Sequence, residues 1–193
     1  MQGFIKVGAI YSLAKYIALG LGVIKTFYIA SYLGPEFLGS YAVVMLIVEY
    51  LNYSNLGVFA SMNRDAAIYM HEEEKKEYVD KIVSIALSFT VLPMVFILVS
   101  FLSIQIMEAR FLPNELIEYS WMILVLVLFN QLKIFSLRYL RLYSKYYQLT
   151  ILEFLAQIIN LAGVILFIEE YSIDAVLWSV LVANIFFNFV AFI

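Results

Sequence analysis

The chain has no cysteine, a single histidine, and only 14% charged residues in a length of 193. Each shortage excludes something. Without cysteine there is no disulfide, no thiolate metal site and no cysteine nucleophile. With only His71, zinc lacks ligands and an intramembrane serine protease lacks its base. No glycine-rich phosphate loop is present, and Asp65, Asp80 and Asp174 lie far apart and outside the apolar runs, so no aspartate pair marks a metal-dependent phosphotransferase. The chain is read as a non-enzyme with no cofactor and no metal. A net charge of −3 and a pI near 5.2 leave no basic stripe, and with it no nucleic-acid partner.

The shortage of charge decides the solvent. A soluble domain is about 45–50% apolar and about 25% charged. Here 64% of residues are hydrophobic, too many to cover with a polar surface and too many to leave disordered. A bilayer span takes about 20 apolar residues, so the length has room for roughly six or seven spans whose partners are membrane lipids. Apolar runs at 7–33, 38–60, 82–107, 119–137, 149–168 and 175–193 predict an all-α, polytopic six-helix bundle as a single domain. No cleavable leader is evident, because the first run is too long and carries two lysines. Pro93 predicts a kink in the third run.

Alternating loops differ in charge. One set holds Lys6, Arg64, Lys75, Lys76, Lys81, Arg138, Arg141 and Lys145, and the other holds only Arg110. Cations gather on the cytoplasmic side, which places the N-terminus there. The polar segment 61–81 reads as a short helix at the cytoplasmic surface, with Glu72–Lys76 and Glu77–Lys81 spaced for i,i+4 pairs. His71 falls in that segment and reads as a solvated loop residue.

Ionisable groups inside spans are costly and mark candidate sites. Lys15 and Lys25 are ten residues apart, roughly 15 Å along the axis and about 80° around it, so one wall can hold both. The structural alternative is that each snorkels to its nearer interface, less suited to Lys25, whose interface is kept free of cations. Glu49 falls at the centre of the second run, with Asn52 and Asn55 on its general face. It is read either as one half of a structural ion pair with Lys25 or Lys15, or as a cavity group. Glu153, Gln157 and Asn160 share one face of the fifth run, Asn184 and Asn188 one face of the sixth, and Asn130, Gln131 and Lys133 cluster in the fourth. Any single amide is accounted for by an interhelical hydrogen bond, about 0.6 kcal/mol. Polar stripes on five of six runs point instead to a hydrated cavity lined by Lys15, Lys25, Glu49, Asn52, Lys133, Glu153, Gln157, Asn160, Asn184 and Asn188.

The stretch Tyr32-Leu33-Gly34-Pro35-Glu36-Phe37-Leu38-Gly39-Ser40-Tyr41 resembles the Leu-Gly-Pro-x-x-x-Gly-x-Tyr turn joining the first two helices of Wzx-type polysaccharide flippases, of the multidrug/oligosaccharidyl-lipid/polysaccharide exporter superfamily. Asn55-Leu56-Gly57-Val58 and Asn63-Arg64-Asp65 resemble motifs that follow it there, and Gly22-Val23-Ile24-Lys25 is similar to a step in related lipid II flippases. The resemblance implies translocation of an oligosaccharide on undecaprenyl pyrophosphate in a bacterial or archaeal plasma membrane, with H⁺ or Na⁺ as coupling ion. It implies that Lys25, then Lys15 and Lys133, hold the pyrophosphate, that amides contact sugars, and that Glu49 or Glu153 takes up a proton. Family members have about twice as many helices, so the chain is read as an N-terminal half that needs a C-terminal half or a second copy. The rival readings are a drug or cation exporter of the same superfamily and a non-transporting subunit of a glycan-export complex.

Overall fold

The structure, a computed structural model, describes residues 2–70, 72–106 and 117–192. His71 and most of the expected loop at 108–118 lie outside the described residues, as do the side chains around Pro93. Everything described is helix or turn: α1 (Gln2–Asn52), a 3₁₀ turn (Tyr53–Asn55), α2 (Val58–Tyr69), a second 3₁₀ turn (Glu73–Lys75), α3 (Lys76–Ile106), α4 (Ser120–Leu142) and α5 (Tyr146–Ala191). Four helical stretches are long and apolar enough to cross a membrane: Tyr11–Asn55, Lys76–Ser103, Ser120–Leu142 and Tyr146–Ala191. The contacts divide the chain into two compact units, Met1–Ala42 with Ser144–Ile193, and Val43–Tyr143.

In the first unit, both long helices break where the sequence places a turn. Gly34 (φ 69, ψ 174) interrupts α1 just before Pro35. Its positive φ costs a residue without a Cβ little, and Pro35 takes a position where a missing N–H does least harm. Ser172 (φ 49, ψ −120) interrupts α5. There the chain reverses: a Cβ on Gly163 would lie 2.6 Å from the Ser179 hydroxyl, whereas sixteen residues of straight helix would separate the two by about 24 Å. The 46-residue α5 is therefore a hairpin whose arms approach most closely at a glycine facing a serine. This small-on-small contact lets backbones come together where hydrocarbon offers no hydrophobic drive. The Ser179 hydroxyl donates back to the Ala175 carbonyl, so its polar atom is satisfied within its own helix.

The first arm of α5 also lies along α1. The Tyr11 and Tyr146 rings meet edge-to-face at 6.1 Å. Gln157 Nε2 stands 3.3 Å from where a Cβ of Gly22 would be. Tyr32 Oη donates to Glu169 Oε1 at 3.0 Å. Position numbers rise together in the three contacts, so these two segments run parallel.

In the second unit, α2 packs against α3 and α4. Phe59, Met62 and Ala66 form its buried stripe at i, i+3 and i+7. Phe59 and Met62 join Ala86 of α3 and Phe135 of α4, and Ala66 joins Val79 and Leu142. This corrects two sequence expectations. The second apolar run does not continue as one helix to residue 60: α1 stops at Asn52, and 58–60 open α2. A hydropathy scan passes through this break because Leu56 and Gly57 are both uncharged, yet both adopt positive φ (48° and 79°) and end the helix. The short helix expected within 61–81 starts at Val58, and it buries its apolar stripe on α3 and α4. The expected Glu77–Lys81 pair forms at 2.8 Å, while Glu72, ahead of the helix, takes Lys75 at 2.7 Å.

Gly57 offers a clean test of the turn. An added Cβ meets nothing within 4 Å, so Gly57→Ala carries only the cost of positive φ. We expect a loss of about 1 kcal/mol, read as a lower midpoint in the denaturation of detergent-solubilised protein.

Candidate functional site

The turn that ends α1 is held from three sides. Four carbonyls at a helix C-terminus have no intrahelical donor. Gln131 of α4 supplies one: its Nε2 donates to the Asn52 carbonyl at 2.8 Å, with longer contacts to the Leu51 carbonyl (3.4 Å) and Ser54 Oγ (3.3 Å). Asn55 Nδ2 donates to the same Asn52 carbonyl at 2.8 Å, and the Gly57 amide donates to Asn55 Oδ1 at 3.0 Å. The second bond is an Asx turn, which steers the chain into α2.

Beside this turn is a pocket of about 510 Å³. Its polar lining comprises Glu49, Asn52 and Asn55 from the end of α1 and the turn, and Arg138 and Arg141 from the last turns of α4. Arg138 and Arg141 are three residues apart and so lie on the same side of their helix. Gly57, Phe59 and Ala60 bring the first turn of α2 to the same wall. No side chain caps that helix; the Ala60 and Ser61 amides donate to the Gly57 carbonyl and the Gly57 amide to Asn55 Oδ1, and the helix contributes the partial positive charge of its N-terminal dipole end. Two guanidiniums and a helix N-terminus oppose the one carboxylate, Glu49, which is exposed and has no ion pair with another described residue. The side-chain oxygen of Asn52 is buried without a hydrogen-bond donor.

The ten expected site residues thus fall into two groups. Glu49 and Asn52 line the pocket of the second unit, as does Asn55, which shares their face. Lys133 belongs to the same unit, is half-buried and does not line that pocket. Glu49 is not at the centre of a span: it sits three residues before the end of α1. Lys15, Lys25, Glu153, Gln157, Asn160, Asn184 and Asn188 all belong to the first unit, so Glu49 and its two suggested lysine partners fall in different units.

Within the first unit, Lys15 is exposed, its Nζ 3.4 Å from Tyr11 Oη and 5.6 Å from the centre of that ring. Lys25, Glu153 and Gln157 are half-buried, and Asn160, Asn184 and Asn188 are buried. Asn160 keeps an unpartnered side-chain oxygen. A second pocket, of about 430 Å³, lies between the two arms of α5, lined by Gly163, Phe167, Tyr171, Trp178 and others. Asp174 is the one charged residue in its lining, and its apolar walls suit hydrocarbon.

Two residues of the polar pocket, Arg138 and Arg141, are absent from the ten. In the sequence they look like loop cations that set orientation, because the apolar run ends at residue 137. The signal that could have found them is their i,i+3 spacing on a helix that continues to Leu142. Comparison with protein-family models, with curated proteins and with solved structures finds no match.

Proposed function

We propose that this chain is one six-span lobe of a membrane translocase for a glycan carried on an isoprenoid pyrophosphate, in a bacterial or archaeal plasma membrane with the N-terminus in the cytoplasm. The observation that carries the reading is the polar pocket of the second unit, where Glu49, Asn52, Asn55, Arg138 and Arg141 meet in a chain of otherwise apolar helices. A pocket whose lining gathers one carboxylate, two amides and two guanidiniums suits a polar cargo. Two guanidiniums favour an anionic cargo over the cations of a drug exporter. The turn resemblance at residues 32–41 supports the same class.

The parallel packing of α1 on α5 supports the six-span count. If α1 crossed once, then α3 and α4 would bring the chain to α5 on the opposite face, and α5 would run antiparallel to α1. A second crossing after the Gly34 break restores the parallel direction that the contacts at Tyr11, Gly22 and Tyr32 require. The hairpin in α5 supplies the sixth span. On this path the polar pocket lies at the cytoplasmic ends of the second and fourth spans, where a lipid-linked glycan would be taken up. Lys15 and Lys25 are the cations of the first unit that would hold charge on such a cargo, with no covalent chemistry needed.

The test is deletion of the chain in its native cell. Lipid-linked glycan should accumulate on the inner leaflet and surface polysaccharide should disappear. Wild type should restore it, and Lys15→Ala with Lys25→Ala should not, at equal membrane abundance. Intact surface polysaccharide in the deletion strain would overturn the translocase reading. Restoration by the double variant would remove only the lysines from the path.

A further inference from the structure

We infer that the pocket at the Asn52–Gly57 turn is a phosphoryl-binding site that selects a phosphate ester bearing neighbouring hydroxyls. The argument starts from charge. Arg138 and Arg141 line one wall and the uncapped N-terminus of α2 lines another, so positive potential converges from two elements. Planar guanidiniums grip phosphate oxygens, and the positive end of a helix dipole favours the same anion. A bare anion would leave Glu49 unexplained, since a carboxylate in the same pocket repels it.

A ligand with both features resolves the conflict. Glu49 accepts hydroxyl hydrogens and accepts nothing else a phosphate ester offers. Asn52 and Asn55 line the same wall, but the Asn52 side-chain oxygen is buried and both ends of the Asn55 amide are engaged in the turn, so Glu49 is the hydroxyl acceptor this wall presents. At about 510 Å³ the pocket is large enough for a sugar phosphate or a polyol phosphate headgroup. Bare phosphate and bare sugar would each satisfy one half of it. The inference rests on the translocase reading only for its natural occupant, a phosphate-linked glycan; the chemistry of the site stands on the lining residues.

The experiment is equilibrium binding to the full-length chain in a phosphate-free polyoxyethylene detergent. The probes are glucose 1-phosphate, inorganic phosphate, glucose and dihexanoyl phosphatidylglycerol. Glucose 1-phosphate or the short-chain lipid should bind more tightly than inorganic phosphate, and glucose should bind least. Preference between the first two tells a free phosphate ester from a lipid headgroup. Arg138→Gln and Arg141→Gln should each weaken the phosphorylated probes by about tenfold, and the corresponding lysine variants by less. Glu49→Gln should leave inorganic phosphate bound as well or better while shrinking the advantage of the hydroxyl-bearing probes. Lys145→Gln, outside the pocket, should change nothing, and helical circular dichroism checks that each variant is folded. Failure of wild type to bind any phosphorylated probe, or equal binding by the arginine variants, overturns the site. Loss of binding in the arginine variants with surface polysaccharide intact would uphold the site and overturn the translocase reading instead.

Discussion

Gly163→Leu should destabilise the first unit more than any other single change at a glycine. The position has no room: even a methyl carbon would fall 2.6 Å from the Ser179 hydroxyl and 3.0 Å from its Cβ, well inside contact distance. A leucine must therefore push the arms of the α5 hairpin apart, and it loses the close packing that small residues give helices in lipid. Overpacking of this kind costs about 1–3 kcal/mol and sometimes more. Thermal denaturation in detergent should show a much lower midpoint. Gly163→Ala should be milder, and Ser179→Gly should rescue part of it, because the second change removes the atoms that the first one meets. Absence of rescue in that double-mutant cycle would show that the arms do not meet at this pair. Since the apolar pocket lies between the same arms, it should widen in the leucine variant.

Gln131→Leu should be the most damaging change in the second unit. An isolated interhelical hydrogen bond in a membrane protein is worth about 0.6 kcal/mol, and on that scale the change would hardly register. Gln131 does something different: it reaches across from α4 to the last carbonyls of α1, sharing the Asn52 carbonyl with Asn55 Nδ2. Removing it leaves the Asn52 carbonyl to Asn55 alone and takes away the contacts to the Leu51 carbonyl and Ser54, a cost of about 1 kcal/mol or more. The loss should appear as a lower unfolding midpoint and as faster amide exchange through 52–57. The pocket should suffer with it, because Asn52, Asn55 and Gly57 belong to the segment that Gln131 holds. Gln131→Glu should fare as badly, since a carboxylate at that position has no donor to offer a carbonyl. A variant with unchanged stability would mean that water or Asn55 alone satisfies the end of α1.

The readable part of the fold was its solvent and its turns. Apolar runs predict membrane helices because the bilayer core demands continuous hydrocarbon contact and internally satisfied backbone. Gly34-Pro35 and the acidic stretch ending at Asp174 were legible as helix breaks, since glycine, proline and charge each oppose a continuing apolar helix. The break after Asn52 was not legible. Leu56 and Gly57 read as apolar and neutral, and their positive φ is held by bonds from Asn55 and from Gln131, a residue 79 positions from Asn52. Glu49 consequently looked like a mid-span carboxylate, although the helix ends three residues later.

The candidate site divides the same way. Glu49, Asn52 and Asn55 share a pocket because local spacing already places them on one side of the chain, which a sequence can show. Arg138 and Arg141 join them because α4 packs against α2, whose buried stripe of Phe59, Met62 and Ala66 anchors that contact. No local pattern encodes that proximity.

The sequence by itself determined the helical class, the stretches apolar enough to cross a membrane and the places where unmistakable turn residues or charges interrupt them. Composition and period suffice for these because each residue meets lipid or its own helix on its own account. Tertiary structure alone decided where α1 ends, that the arms of α5 meet at Gly163 and Ser179, and which cations share a pocket with Glu49. Those outcomes depend on pairs distant in the chain, and their energies exist only once the helices are side by side. The scarcity of charge leaves four helices apolar enough to cross a membrane and few ionisable groups within them. Packing, more than composition, gathers Glu49, Arg138 and Arg141 around one pocket.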